Sequence, residues 1–274
     1  MNSSLVEGYF RQDKMPHIWC PGCGHGIIMR ALAVAIDNLG LDKDKVCIVS
    51  GIGCSSRAPG YMDFNTLHTT HGRALAFATG VKHANPELEV IVITGDGDAS
   101  AIGGNHLIHS ARRNINITTI VFNNSIYGMT GGQYSPTTPE NELGTTAPHG
   151  NIDNSFDIAM LAGAAGATYT ARTTAYHAKP MAKFIEKAIA HNGFALVEAI
   201  STCPTYYGRK NKKGSAVQML NYLKDSFVDI KAAERMTEEQ LAGKHIMGEF
   251  KNVTDQAEYT DKYTALIERL KGAK

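Results

Sequence analysis

Two short stretches of this 274-residue chain carry residues whose types and spacing could do chemistry. In Ile91-Val92-Ile93-Thr94-Gly95-Asp96-Gly97-Asp98, an apolar run ends in an acid between two glycines. Glycines let backbone N–H groups approach phosphate oxygens, and a helix opening near residues 102–104 adds its positive end. An aspartate there disfavours phosphate unless a divalent cation stands between them. Mg²⁺, held by one or two protein oxygens and by substrate phosphates, meets that demand. A plain turn explains Gly-Asp-Gly about as well on its own. The second stretch is Asn123-Asn124, at the end of the next apolar run. One strand–helix–strand unit sets the two loop starts side by side, so Asp96 and an asparagine carbonyl could share one metal ion.

Cysteines stand at positions 20, 23, 47, 54 and 203. An odd number argues against a disulfide framework and for metal-binding or reactive thiols, and with no leader-like N-terminal pattern a cytoplasmic protein is expected. Cys20-x-x-Cys23 places two thiols on one tight loop, a spacing suited to zinc or to an iron–sulfur cluster. Cys54 follows the first strand-like run and Cys203 the last, so four thiolates could converge and close one site. Cys47, inside Val46-Cys47-Ile48-Val49, reads as a small buried hydrophobe. The cysteines alone leave zinc and [4Fe–4S] both open.

These residues need a scaffold that brings distant loops together. Residues Val46–Ser50, Glu89–Thr94, Ile117–Phe122, Ala167–Thr170 and Phe194–Ile200 read as strands, and the near-continuous apolar character of most fits burial on both faces. Helical periodicity fills His25–Leu39, Gly72–His83, Gly104–Arg113, Ser155–Ala165 and His177–His191. The alternation predicts an α/β fold, a parallel sheet flanked by helices, with ligands beyond the carboxyl ends of the strands. After Pro204 the sequence turns polar and helical-looking, with no further strand signal. Residues 205–274 are expected to form a C-terminal helical arm on the core or on another subunit, or a cap on the same domain. The 27 basic and 26 acidic side chains give a net charge of +1. That balance excludes the broad basic face needed for nucleic acid and a polybasic membrane anchor. No apolar run approaches the roughly 20 residues of a membrane-spanning helix.

The Gly-Asp-Gly opening, the interval after it and the Asn-rich strand end together resemble the thiamine diphosphate enzymes. The likeness extends to Cys20-Pro21-Gly22-Cys23-Gly24, the run Gly51-Ile52-Gly53-Cys54-Ser55-Ser56-Arg57, His71-Gly72-Arg73-Ala74, Tyr127-Gly128-Met129-Thr130-Gly131-Gly132-Gln133 and Cys203-Pro204. Over roughly residues 15–215 the chain is similar to the β subunits of 2-oxoacid:ferredoxin oxidoreductases, above all the 2-oxoglutarate type. The resemblance implies a thiamine diphosphate-binding fold carrying both cofactors in residues 1–204, with the arm beyond it. It implies Mg²⁺ on Asp96, Asn124 and the Ile126 carbonyl. It implies a diphosphate lined by Gly95, Gly97, Asp98 and the loop Tyr127, Gly128, Met129 and Thr130, with Ile52, Gly53, Cys54, Ser55 and His71 beside the cofactor. It places a [4Fe–4S] cluster on Cys20, Cys23, Cys54 and Cys203.

The implied reaction is oxidative decarboxylation of a 2-oxo acid, 2-oxoglutarate foremost, to acyl-CoA and CO₂. Electrons pass through the cluster to ferredoxin, and coenzyme A captures the acyl group. The glutamate that activates the aminopyrimidine comes, in the family, from an α subunit, so this chain is expected to be inactive alone. Arg57, His71 and Arg73 are candidates to meet a substrate carboxylate, with catalytic roles expected for Arg57 and His71. Ordinary surface or structural roles explain each about as well. Gly131 stands where some family members carry a lysine for a distal carboxylate. Trp19 is expected to pack over the cofactor or cluster, and His17 and His25 carry no specific expectation. Two other readings are a non-oxidative thiamine-dependent decarboxylase or carboligase subunit, and a zinc-stabilised non-catalytic assembly subunit.

Overall fold

The computed structural model describes residues 3–272. Eight strands form one sheet: β1 (Val46–Ser50), β2 (Asn65–His68), β3 (Glu89–Gly95), β4 (Ile117–Asn123), β5 (Tyr169–Thr174), β6 (Phe194–Ile200), β7 (Phe227–Asp229) and β8 (His245–Asn252). Their order is β2-β1-β3-β4-β6-β5-β8-β7. All neighbours are parallel except β5 and β8. Among the described residues, eleven α-helical segments accompany them. The chain opens with α1 (Ser3–Tyr9) and α2 (His25–Asn38), and a single turn, α3 (Ala58–Tyr61), precedes β2. The crossover helices are α4 (Ala74–Ala84), α5 (Gly104–Arg113), α6 (Ile158–Ala165) and α7 (Ala178–Ile189). The C-terminal part adds α8 (Ala216–Ser226), α9 (Ile230–Ala233), α10 (Glu238–Leu241) and α11 (Tyr259–Gly272).

The middle strands are largely apolar because both faces are covered. On one face α2 and α7 bring Ile28, Leu32, Ile36, Met181 and Ile185 against Ile48, Ile91, Ile93 and Ile120. On the other, α4, α5 and α6 bring Leu75, Leu107, Ala111 and Ile158 against Val49, Val92, Val121 and Leu196. Cys47 lies in this second cluster, a buried strand residue as expected. From β1 the sheet extends to β2 on one side and to β3 on the other, which opens a crevice at the carboxyl ends. There the loops after β1, β3, β4 and β6 lie next to one another.

Two differences from the sequence reading have physical causes. The tail is not purely helical: β7 and β8 continue the sheet, β8 pairing with β5 and shifting register between Thr170 and Ala171. The run His245–Asn252 hides its strand character because it is half exposed and interrupted by Gly248 at φ +131°. The polar edge strand β2 escaped notice for a similar reason, since its side chains are mostly exposed and only its backbone is paired. β5 also runs further than its apolar start implied, to Thr174. Its polar half is nonetheless buried, with Arg172 ion-paired to Glu198 on β6 at 2.8 Å. No helix among the described residues is long and apolar enough to cross a membrane.

Because β8 covers the edge of β5, a chain ending at Lys244 leaves an unpaired strand edge and should aggregate. A chain ending at Val253 keeps β8 and should remain monodisperse, with a lower Tm, since it loses Glu258, which is buried against the Asn116 backbone N–H. Size-exclusion chromatography of both truncations checks this; monodisperse protein from the shorter one contradicts it.

Candidate functional site

A cavity of about 290 Å³ lies at the carboxyl edge of the sheet. Its lining joins Ile52, Gly53, Cys54 and Ser55 after β1, His71 before α4, Gly95 to Asp98 after β3, and Asn124 with Ile126 to Thr130 after β4. The fifteen cavity-lining residues expected from the sequence are therefore brought together, Ile126 among them. Arg57 is not one of them: it is exposed and stands outside the lining. Arg73 is half-buried and donates to the Ile102 carbonyl at 3.0 Å, a structural latch.

Asp98 ties the loops together. Thr94 Oγ1 donates to its Oδ2 at 2.7 Å, while the backbone N–H groups of Gly72 and Ile52 donate to Oδ1 at 2.6 and 3.4 Å. His71 Nδ1 lies 2.8 Å from the same oxygen, off the line of a good hydrogen bond. The carboxylate occupies the space a side chain at residue 51 would need: a Cβ on Gly51 would fall 2.2 Å from Oδ2. One buried acid thus fixes the loops after β1 and before α4 against the end of β3.

Asp96 has a different arrangement. Ser135 Oγ and Thr137 Oγ1 both donate to its Oδ2, at 2.5 and 2.7 Å. Burial pushes its pKa up, and those two hydroxyls oppose the rise. Its Oδ1 faces the Asn124 side-chain amide at 3.3 Å, and the same amide atom lies 2.8 Å from the Ile126 carbonyl oxygen. Turned one way, the amide nitrogen donates to both. Turned the other, three oxygens converge, the donor set of a hard divalent cation. Ser135 and Thr137 carried no sequence signal, since hydroxyls in a long loop look like ordinary loop polarity.

The cavity is also lined by an unpartnered hydroxyl and by glycines that leave no room for a side chain. Ser55 Oγ is buried with no partner in the protein and lies 3.2 Å from where a Cβ on Gly95 would stand. A Cβ on Gly97 would strike the Tyr127 ring at 2.2 Å. Tyr127 bridges Gln133 through backbone hydrogen bonds and donates its hydroxyl to the Gly97 carbonyl at 3.2 Å. Burial, then the charges of Asp96 and Asp98, push its phenol up to about 12, so it stays neutral.

Next to the cavity the cysteine loops meet. A Cβ on Gly128 would lie 3.4 Å from Cys54 Sγ and 3.7 Å from Cys203 Sγ. Burial, together with charge on Cys203, Cys54 and Cys20, pushes the Cys23 thiol up to about 12. Burial and the charges of Cys203, Cys20 and Asp96 do the same for Cys54, to about 11. Cys54 and Cys203 thus border the same glycine, and the four thiols lie near enough to one another that thiolates would repel. Trp19 donates its indole N–H to the Cys54 carbonyl at 2.7 Å and packs on Tyr61 and His25.

His25 was missed. It is 1% exposed, lines the cavity, and places its Nδ1 2.9 Å from Ser201 Oγ. Burial lowers its pKa to about 3, so the ring is neutral. Its position two residues after Cys23 was the available signal.

The family model for the thiamine pyrophosphate enzymes, C-terminal TPP binding domain, matches residues 51–199. The chain is 52% identical to 2-oxoglutarate synthase subunit KorB of Methanothermobacter marburgensis, covering 96% of this chain and 92% of the relative. It is 51% identical to the subunit of that name from Methanocaldococcus jannaschii, covering 96% and 97%. Its structure matches 2-oxoglutarate:ferredoxin oxidoreductase from Magnetococcus marinus with 2-oxoglutarate, coenzyme A and succinyl-CoA bound. The TM-score is 0.86 at 36% identity, over 97% of this chain and 90% of that one. The chain therefore belongs to the thiamine diphosphate-dependent 2-oxoacid:ferredoxin oxidoreductases, as a β subunit of the 2-oxoglutarate type.

Proposed function

We propose that this β subunit binds the diphosphate end of thiamine diphosphate through Mg²⁺ and carries a [4Fe–4S] cluster that passes electrons from 2-oxoglutarate oxidation to ferredoxin. The observation that carries the reading is the juxtaposition at one sheet edge of a three-oxygen cluster with the thiols of Cys54 and Cys203, beside which Trp19 ties the Cys20–Cys23 loop. Asp96, Asn124 and the Ile126 carbonyl would hold Mg²⁺. Gly95, Gly97, Ser55 and the Tyr127–Thr130 loop would receive the diphosphate. When bound, thiamine diphosphate supplies an electron sink for the carbon that loses CO₂.

The chain's own residues prepare that site. Asp98 keeps the loops closed, Tyr127 walls the cavity, and neutral His25 contributes a ring without adding charge. His71, beside Asp98 and lining the cavity, is placed to meet a carboxylate of the oxo acid. Arg57 would reach substrate only from the rim. An α subunit would bring the pyrimidine-activating glutamate and complete the site, and coenzyme A would take the acyl group as succinyl-CoA.

The thiols favour a cluster over zinc. Zinc draws its thiolates to within about 2.3 Å of one ion. A zinc ion beside thiamine diphosphate would carry no electrons, whereas a cluster can. A [4Fe–4S] cluster takes each thiolate on a separate iron and so accepts a wider spread.

Anaerobically purified protein should show the brown absorbance of a cluster at about 400 nm. Cys54→Ser should remove most of it and Cys47→Ala should not; equal bleaching, or a colourless protein with one zinc, contradicts the assignment. Gly97→Ala should push the Tyr127 ring into the cavity and lower kcat/KM of the αβ complex by about 100-fold. An unchanged KM for thiamine diphosphate together with an unchanged kcat would place the diphosphate elsewhere. The β subunit without its partner should show no 2-oxoglutarate oxidation with a viologen acceptor; full turnover by β alone removes the need for an α subunit.

A further inference from the structure

Asn123 ends β4 one residue before the metal-facing Asn124, yet its side chain is held from the opposite direction. Its Nδ2 donates to Glu198 Oε1 at 2.8 Å. An ionised carboxylate only accepts hydrogen bonds, so the amide NH₂ must face Glu198 and the amide oxygen must face away. That oxygen accepts from the backbone N–H of Ser125 at 3.0 Å and stands 3.0 Å from Thr137 Oγ1. Ser125 has φ +58°, a left-handed conformation unfavourable for a residue with a Cβ. It is the residue between the Asn124 side chain and the Ile126 carbonyl, two of the three converging oxygens. Thr137 donates to Asp96, which provides the third.

The far end of this chain is anchored as well. Arg172 Nε lies 2.8 Å from Glu198 Oε2, and its NH2 pairs with Asp157. Glu198 is 2% exposed, on a central strand of the sheet. A buried ion pair of this kind adds little stability over an apolar pair of equal volume. What the carboxylate adds is direction: it decides which way the Asn123 amide faces.

We propose that Glu198 is a positioning residue for the metal. By orienting Asn123 it holds the left-handed Ser125 turn that presents Asn124 and Ile126. The inference rests on the magnesium reading given above.

The test uses the αβ complex with thiamine diphosphate, Mn²⁺ as the probe, and free Mn²⁺ measured by electron paramagnetic resonance. In Glu198→Gln the charged donor Arg172 retains the glutamine oxygen. The new NH₂ then confronts Asn123, which turns over and leaves the Ser125 N–H without its acceptor. The Mn²⁺ dissociation constant should rise about 10- to 100-fold. Adding Asn123→Asp to that variant restores the match: one carboxylate oxygen accepts from the glutamine and the other from Ser125. Most of the lost affinity should return, a recovery that a loss of general packing does not give. Asn123→Ala leaves the Arg172–Glu198 pair intact and should weaken Mn²⁺ to a similar degree, so it carries the test if Glu198→Gln does not fold. Wild-type affinity in folded Glu198→Gln or in Asn123→Ala, or no recovery in the double variant, overturns the proposal. If wild-type protein binds no Mn²⁺, or Asp96→Asn binds it equally well, the metal site itself falls. If only the Glu198 and Asn123 variants match wild type, the metal site stands and the relay falls.

Discussion

Two carboxylates buried two residues apart, Asp96 and Asp98, govern how this site is built. A buried acid without donors is costly, so the surrounding chain must supply them. Asp98 takes its donors from three places: a hydroxyl on its own strand and backbone N–H groups from the loops after β1 and before α4. Asp96 takes two hydroxyls, both on one oxygen, from the segment after β4. One acid is thus satisfied by the fold, while the other keeps an oxygen turned toward Asn124 and Ile126. The same strand end produces a structural tie and a ligand position because the donors are distributed unequally.

This requirement explains where glycine is indispensable. Gly51 exists in its place because the Asp98 carboxylate fills the volume of a side chain there. Gly72, at φ +70°, lets its N–H reach the same carboxylate while its Cα sits against the backbone of Gly103. At Gly51 small size makes room for the acid, whereas at Gly72 the left-handed backbone and the closeness of Ile102 and Gly103 exclude a side chain. Substitution at either position would disturb the loop that carries Cys54 or His71.

How much of this was legible in the sequence depends on what made each element form. The strands β1, β3, β4 and β6 are legible because burial on both faces demands continuous apolar sequence. The edge strands β2 and β8 are held mainly by backbone pairing, which leaves no pattern in the side chains. The convergence of Asp96, Asn124 and Ile126 could be read because acid, glycine and asparagine occupy strand ends at a set interval. Ser135, Thr137 and Glu198 could not. They act through hydrogen bonds closed across 39, 41 and 75 residues, and nothing local distinguishes them from loop polarity or a stray charge in a strand. Residues of the proposed ligand set stand out in the sequence, whereas the residues that orient them do not.

The proposed cluster and cofactor sites are also mechanically one unit, and this bears on how electrons could leave. Cys54 is three residues beyond Gly51, and Ile52 between them is tied to Asp98. The Cys54 carbonyl is in turn held by Trp19, which belongs to the Cys20–Cys23 loop. Movement of the cysteine loops would therefore strain the knot at Asp98, and movement of the diphosphate loops would strain the cysteines. A packed interior of this kind transmits displacement instead of absorbing it. Under the proposed function, such coupling would keep cofactor and cluster close together through turnover. The near-neutral surface is consistent with that design, since a few placed groups, fixed by short hydrogen bonds, do what a broad field of charge does in other binding proteins.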